Sequence, residues 1–362
     1  MSLAEHIHTR ICERSGTDGL SVVDREELDR QIRSLLTEAA PLTTETMASE
    51  VIGEVRARID GLGPLHTLGV DPDVSEIMVN GGGDVWVERA GSLAKTDLEL
   101  GPEEAHHLIR RLAARAGRRI DATRPSVDVR LDDGSRLHAI VPPLAVDGPC
   151  ITIRRFRPGR LTLQDLADVE AVDLLRAAIA DRQTIIIGGG TSSGKTTLLN
   201  ALAAYLDPVD RVITIEDAAE LSLPGEHVVR LETRTETEGA PAVGLRELVR
   251  NALRMRPDRI ICGEMRGAEA LDLIQAMNTG HQGSMSTVHA NGSSDVLRRI
   301  ETMMLTADVD LPLRAIREQL AACIDLVVMM GRRPDGSRRV TSIAAVPDDP
   351  ADRWHLDTRY EL

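Results

Sequence analysis

Aromatic residues are nearly missing from this chain, which has two Trp, two Tyr and one Phe among 362 residues. That scarcity counts against a platform on which bases of a single strand could stack, and it leaves the core to Leu, Ile, Val, Met and Ala. Cysteine is also sparse. Cys12, Cys150, Cys262 and Cys323 lie far apart and none falls in a Cys-x-x-Cys pair, which argues against a structural zinc and for a reducing compartment. No run approaches the ~18 apolar residues of a membrane span. Residues 1–40 carry acidic side chains throughout and no apolar stretch like a signal peptide, so the protein is expected beside a membrane if it meets one. Basic excess is missing too. With 43 Lys and Arg against 57 Asp and Glu, the net charge is −14, and direct nucleic-acid binding along the chain is not expected.

What stands out is Ile185-Ile186-Ile187-Gly188-Gly189-Gly190-Thr191-Ser192-Ser193-Gly194-Lys195-Thr196-Thr197. A β-branched run breaks into glycines, and Gly189, four residues, then Gly194-Lys195-Thr196 is the phosphate-binding loop pattern. The flanks agree with it: a buried type of strand precedes the loop, and Leu198, Leu202, Tyr205 and Leu206 recur at helical spacing until Pro208. The chemistry needs these residue types. Glycines let backbone N–H groups converge on phosphate oxygens, and a helix N-terminus adds a positive dipole. Lys195 is placed to reach the β- and γ-phosphates of ATP and the Thr196 hydroxyl to hold Mg²⁺. The bland alternative is a glycine-rich turn in an ordinary α/β protein.

Length suggests about two to three domains. Residues 1–60 read as leading helices, one over 24–40 capped by Asp24 and Glu27, the next carrying Met47, Val51, Ile52, Val55 and Ile59 on one face. Their stripes are narrow, so they are expected to pack on the adjoining domain or on a neighbouring subunit. Residues 61–155 read as a small α+β domain: strands at 76–80 and 84–88 around Gly81 to Gly83, a helix with Leu108, Ile109 and Leu112, and an alternating hairpin over 127–140 turning at Asp133-Gly134. Residues 156–165 read as a linker, with Arg154, Arg155, Arg157 and Arg160 around it and a helix cap at Thr162 to Asp165. From 166 to 362 strands and helices alternate, the pattern of a parallel sheet with covering helices. Strands are expected at 184–187, 211–215, 259–262, 284–288 and 324–330, with a terminal hairpin of 340–346 and 354–356.

A phosphate-loop enzyme also needs an acid near Mg²⁺ and a group that activates water. Glu216-Asp217 ends one apolar run and Glu264 another, where open α/β sheets keep their ligand sites. A polar cluster spans 279–291. Its His281 and His289 share strand parity, so both could face one site, and their spacing fits no zinc pattern. Arg230 and Arg234 flank Leu231-Glu232-Thr233 in a Gly- and Glu-rich loop and are either surface arginines or charges for a γ-phosphate in flight.

Residues 189–197, 215–221, 253–267 and 279–291 resemble, in order, the Walker A, Asp box, Walker B and His box of the type II and type IV secretion ATPases. Ser75 to Gly81 and Asp133 to Arg136 resemble the front domain of the CpaF-like branch, which powers tight-adherence (Flp) pili. The likeness spans about residues 61–346. It implies an α/β, RecA-like P-loop domain behind a smaller α+β domain, and a homohexameric ATP- and Mg²⁺-dependent motor. That motor would sit at the cytoplasmic face of the inner or plasma membrane, working on platform proteins to extrude pilin or secreted protein. By family, Gly189, Gly190, Thr191, Ser192, Ser193, Gly194, Lys195, Thr196 and Thr197 would bind nucleotide, and Glu216 would be the catalytic carboxylate. Glu264 would hold Mg²⁺ through water, His281 and His289 would sense the γ-phosphate, and Arg230 and Arg234 would be arginine fingers. Arg136 and Arg155 would close over the nucleotide. A DNA-transfer ATPase and a non-motor P-loop switch are the competing classes.

Overall fold

The computed structural model describes residues 3–15, 25–89, 91–155, 161–234, 241–333, 336–347 and 354–362. They form two compact units, Met1–Leu131 with Ser135–Arg155, and Phe156–Leu362 with the turn residues Asp132–Gly134.

In the first unit, α1 (Leu3–Ser15), α2 (Arg25–Ala39) and α3 (Glu45–Asp60) lead the chain. Ala4, Ile7 and Ile11 of α1 meet Leu28, Ile32, Leu35 and Leu36 of α2 and Ala48, Ile52, Val55 and Ile59 of α3 in one buried cluster. Three narrow stripes thus close a core together. Two features differ from expectation. Helix α1 gives no signal in the sequence among charged residues and histidines, and Met47 is 54% exposed rather than part of the α3 stripe. Asp24, expected to cap α2, lies outside the described residues.

A five-residue helix, α4 (His66–Val70), precedes β1 (Val74–Val79), β2 (Asp84–Arg89), β3 (Ser92–Glu99), α5 (Pro102–Arg115), β4 (Ser126–Arg130), β5 (Arg136–Ile140) and β6 (Cys150–Arg154). The strands make an antiparallel sheet in the order β3-β2-β1-β6-β5-β4. Every second residue (Ile77, Val79, Val85, Val87, Leu137, Ala139, Ile151, Ile153) packs with Leu108, Ile109 and Leu112 of α5. The β4–β5 connection is a five-residue loop closed by Leu131 N to Ser135 O at 2.8 Å, not a two-residue turn. Arg111 of α5 donates to the carbonyls of Arg58, Ile59 and Gly61 at 2.5, 2.5 and 2.6 Å, satisfying the C-terminal end of α3.

The second unit runs α6 (Leu163–Leu166), α7 (Val169–Ala180), β7 (Ile185–Gly189), α8 (Lys195–Ala203), β8 (Val212–Glu216), β9 (Val228–Glu232), α9 (Leu245–Ala252), β10 (Arg259–Cys262), α10 (Glu269–Asn278), β11 (Met285–His289), α11 (Ser293–Leu305), α12 (Leu313–Cys323), β12 (Leu326–Arg332), β13 (Arg338–Ala345) and β14 (Asp357–Glu361). Thr162 and Asp165 cap α6 reciprocally. The sheet order is β14-β13-β12-β7-β11-β10-β8-β9, parallel from β12 to β9 and antiparallel at β13 and β14. Ile185 and Ile187 face a core shared with α7 and α8, while Ile186 faces one shared with α9 to α12. Burial on both faces explains the unbroken apolar runs.

Two expectations change in this unit. Strand β9 occupies a stretch expected as loop, and Trp354 precedes the last strand instead of lying in it. Trp354 is buried, and its Nε1 donates to Glu301 Oε1 at 2.7 Å, where Arg317 Nε also donates at 2.8 Å. The Tyr360 hydroxyl of β14 donates to Asp168 Oδ2 at 2.7 Å, and Asp168 caps α7. Arg157 and Arg160 lie outside the described residues. Trp354→Ala should destabilise the second unit by about 3–5 kcal/mol, the usual cost of truncating a buried Trp; an unchanged urea midpoint would show that the segment is not integral to the fold.

Candidate functional site

The sheet brings the C-terminal ends of β7, β11, β10 and β8 level with one another, and the polar motifs occupy those ends. At β7 the backbone needs room more than flexibility. A Cβ on Gly188 would lie 2.5 Å from Val296 Cγ2, and one on Gly189 would lie 2.6 Å from the Met330 carbonyl oxygen. Gly194, with φ of +97°, opens α8 without a side-chain cap, leaving the helix's first N–H groups to the loop. Ser192 also takes a left-handed conformation, with φ of +57°. Ser193 Oγ is buried without a hydrogen-bond partner among the described residues. Thr191 and Ser192 are exposed, and Thr196 and Thr197 are half-buried on the first turn.

Lys195 is buried, and its Nζ donates to the carbonyls of Gly189 and Gly190 at 3.0 and 2.8 Å. It also lies 3.2 Å from His289 Nδ1, while His289 Nε2 lies 2.9 Å from Glu264 Oε1. Burial lowers the His289 pKa below the usual imidazole value, and Lys195 pushes the same way against Glu264. In a neutral ring Nδ1 can accept from the ammonium, while Nε2 faces Glu264 Oε1, a buried oxygen without a hydrogen-bond partner among the described residues. Glu264 Oε2 accepts from Arg266 Nη2 and Nε at 2.6 and 2.9 Å, and Arg266 Nη1 reaches Asp217 Oδ2 at 3.0 Å.

Glu216 ends β8 on the α8 face of the sheet, and it is 3% exposed. Its Oε1 accepts from the backbone amides of Glu220 and Leu221, each at 2.9 Å, and its Oε2 is buried without a partner among the described residues. Gly263 makes this possible, because a Cβ there would sit 2.9 Å from Glu216 Cγ. The segment after Glu216 lies against α8: Leu221 packs with Leu198 and Leu199, and Ser222 N donates to Asn200 Oδ1 at 2.8 Å. Burial pushes the Glu216 carboxyl up to about 7, although the two amides and Arg230 favour its charged form.

The remaining candidates make other contacts. His281 precedes β11, at the opposite end from His289, with Nδ1 2.9 Å from the Ala276 carbonyl oxygen. The parity argument fails for it because the strand starts only at Met285, after left-handed Gly280 and Gly283. Arg230 sits on β9, not in a loop, and donates to the Ala219 carbonyl at 3.0 Å. Arg234 donates to the Pro241 carbonyl at 3.0 and 3.2 Å. Arg155 donates to the Asp71 and Val74 carbonyls, bracing the start of β1. Arg136 lies 3.5 Å from Asp128 and lines a cavity with Glu76, His138, Thr152 and Arg154 on the sheet face of the first unit. Gly188, Gly263 and Arg266 carry no role in a reading of the sequence; only their place inside the loop and strand-end motifs draws notice.

Residues 59–338 match the family model described as type II/IV secretion system protein. The chain belongs to that family. Among the relatives of this secretion-protein chain, the provisionally named conjugal transfer protein Rv3659c of Mycobacterium tuberculosis is 38% identical over 330 residues, 85% of this chain and 93% of its own. Conjugal transfer protein TrbB of Rhizobium radiobacter is 35% identical over 294 residues, 78% of this chain and 88% of that one. The structure of the ATPase DotB of Legionella pneumophila superposes with a TM-score of 0.56 at 23% identity, covering 78% of this chain and 79% of DotB, a likeness of fold.

An acid whose pKa rises on folding carries an extra proton in the folded state, so stability falls as pH climbs from the ordinary carboxylate range to about 7. Glu216→Gln should remove that slope: its melting temperature should exceed wild type at pH 8 by more than at pH 5. Parallel melting curves across that range would contradict the burial of this carboxylate.

Proposed function

We propose that the protein is a Mg²⁺-dependent ATPase that drives transport through the cell envelope as a homohexamer at the cytoplasmic face of the membrane. The observation that carries the enzymatic reading is Glu216. A buried carboxyl poised at about 7, with Oε2 uncommitted and its following segment laid along the phosphate-loop helix, suits a general base for water.

The residues present fit a magnesium nucleotide: a glycine cradle that a Cβ would fill, an uncapped helix start, a buried lysine and an orphaned carboxylate oxygen. Gly189 to Thr197 would hold the triphosphate on backbone amides, with Thr196 and Glu264 on the metal, Glu264 through water. When bound, Mg²⁺ would offset the charge that develops on the phosphoryl oxygens. Lys195 supplies a second positive charge, Glu216 takes the proton of the attacking water, and His289 couples Lys195 to Glu264. Arg230 and Arg234, near the edge strand β9, are our candidates for arginine fingers supplied to a neighbouring copy. His281, fixed on Ala276, is not retained as a phosphate sensor on this chain's own site.

For the cargo, Ser75 to Gly81 and Asp133 to Arg136 favour a CpaF-like motor of tight-adherence pili. The names of the conjugal transfer relatives favour a second reading, an ATPase of a DNA-transfer system. Hydrolysis stimulated severalfold by DNA would support the second reading; indifference to DNA together with nucleotide-dependent hexamers in sedimentation would support the first.

Lys195→Ala should abolish ATP turnover. Glu216→Gln should retain nucleotide binding while turnover falls by about 10²-fold or more, the usual loss on removing a general base; a turnover close to wild type would remove Glu216 from that role.

A further inference from the structure

The nucleotide reading leaves Arg266 without a task, yet its guanidinium makes three hydrogen bonds at the strand ends. Two of its N–H groups, on Nη2 and Nε, converge on Glu264 Oε2 at 2.6 and 2.9 Å, and a third, on Nη1, reaches Asp217 Oδ2 at 3.0 Å. The fork is planar and rigid, so three bonds set one carboxylate against the other across the neighbouring strands β10 and β8. The fork's own root is anchored, because the amides of Arg266 and Gly267 donate to Glu269 Oε1 at 2.6 and 2.8 Å.

This changes what Glu264 can offer a cation. Oε2 already carries two donors from the guanidinium, while Oε1, 2.9 Å from His289 Nε2, is buried without a hydrogen-bond partner among the described residues and is the oxygen left to accept from a metal-bound water. A small divalent ion dehydrates reluctantly and gives up a water only for an accessible anionic oxygen. A carboxylate held in an arginine fork still accepts a hydrogen bond from a metal-bound water.

We propose that Arg266 is a positioning residue that keeps Glu264 in the outer sphere of the metal, by saturating Oε2 and tying the carboxylate to Asp217. The proposal rests on the magnesium-nucleotide reading of this site. Its consequence is a metal that keeps its water at Glu264.

The test replaces Mg²⁺ with Mn²⁺ in the ADP complex of the full chain and counts metal-bound waters by electron paramagnetic resonance in ¹⁷O-enriched water. Arg266→Gln should lose one water from Mn²⁺ relative to wild type and tighten Mn²⁺ by about tenfold or more, since an unneutralised carboxylate attracts a dication strongly. Affinity for ADP in EDTA should change by less than about twofold, because Arg266 acts on the metal and not on the phosphate loop. If Arg266→Gln does not fold, Arg266→Lys gives the same readout with smaller amplitude, because an ammonium cannot imitate the three-bond fork. An unchanged water count overturns the proposal. So does an equal loss of ADP affinity with and without metal accompanied by a lower melting temperature, which would make Arg266 a structural residue. A wild-type chain that binds no Mn²⁺·ADP would overturn the nucleotide reading itself, and this proposal with it.

Discussion

The His289 ring stands between Lys195 and Glu264, 3.2 Å from the one and 2.9 Å from the other, and the arrangement of the site depends on that. His289 can serve both partners only because β11 lies between β7 and β10, with His289 paired to Gly189 in register. A direct ion pair would draw the ammonium out of the loop and leave the Gly189 and Gly190 carbonyls without it. The ring keeps the two charges apart at fixed spacing and transmits position without itself carrying a full charge. Beyond Glu264 the contacts continue through Arg266 to Asp217, so charged and polar groups from four strand ends stand next to one another.

Close approach is the second constraint. Gly188, Gly189 and Gly263 stand where a single added carbon would strike a neighbour at under 3 Å. Only the absence of those carbons lets β7 sit against Met329 and Met330 and lets the Glu216 side chain lie beside the end of β10. The raised proton affinity of Glu216 comes from that packing, since desolvation outweighs two amide donors and a nearby arginine. A motif at the end of one strand therefore owes its chemistry to a glycine at the end of another.

How far the sequence can be read depends on burial. Strands β7, β8, β10 and β12, covered on both faces, announce themselves as largely apolar runs, and the phosphate loop emerges directly from residue spacing. The edge strands do not. β9 shows alternating half-exposed positions and β3 is exposed along most of its length, so neither carries a periodic apolar signal. Parity groups His281 with His289 only on the assumption of a continuous strand, and two left-handed glycines precede the strand, which begins only at Met285. Glu216 is recognisable as a candidate from its place after an apolar run, but its environment is not, because the burial is made by a segment folding back through Leu221 and Ser222. Arg266 is hidden for a simpler reason: its bond to Asp217, which ties the two carboxylates together, lies across the sheet, where no local spacing rule reaches.

The hydroxyl of Tyr360, on the last strand of its unit, meets the carboxylate that starts α7, the first long helix of the same unit. The bond stitches a strand near the end of the described residues to a helix near the start of the unit, and α7 gains that partner only once β14 has been made. Among the described strands of the unit, the one that carries this fastening follows all the others along the chain, so a ribosome delivers it after them.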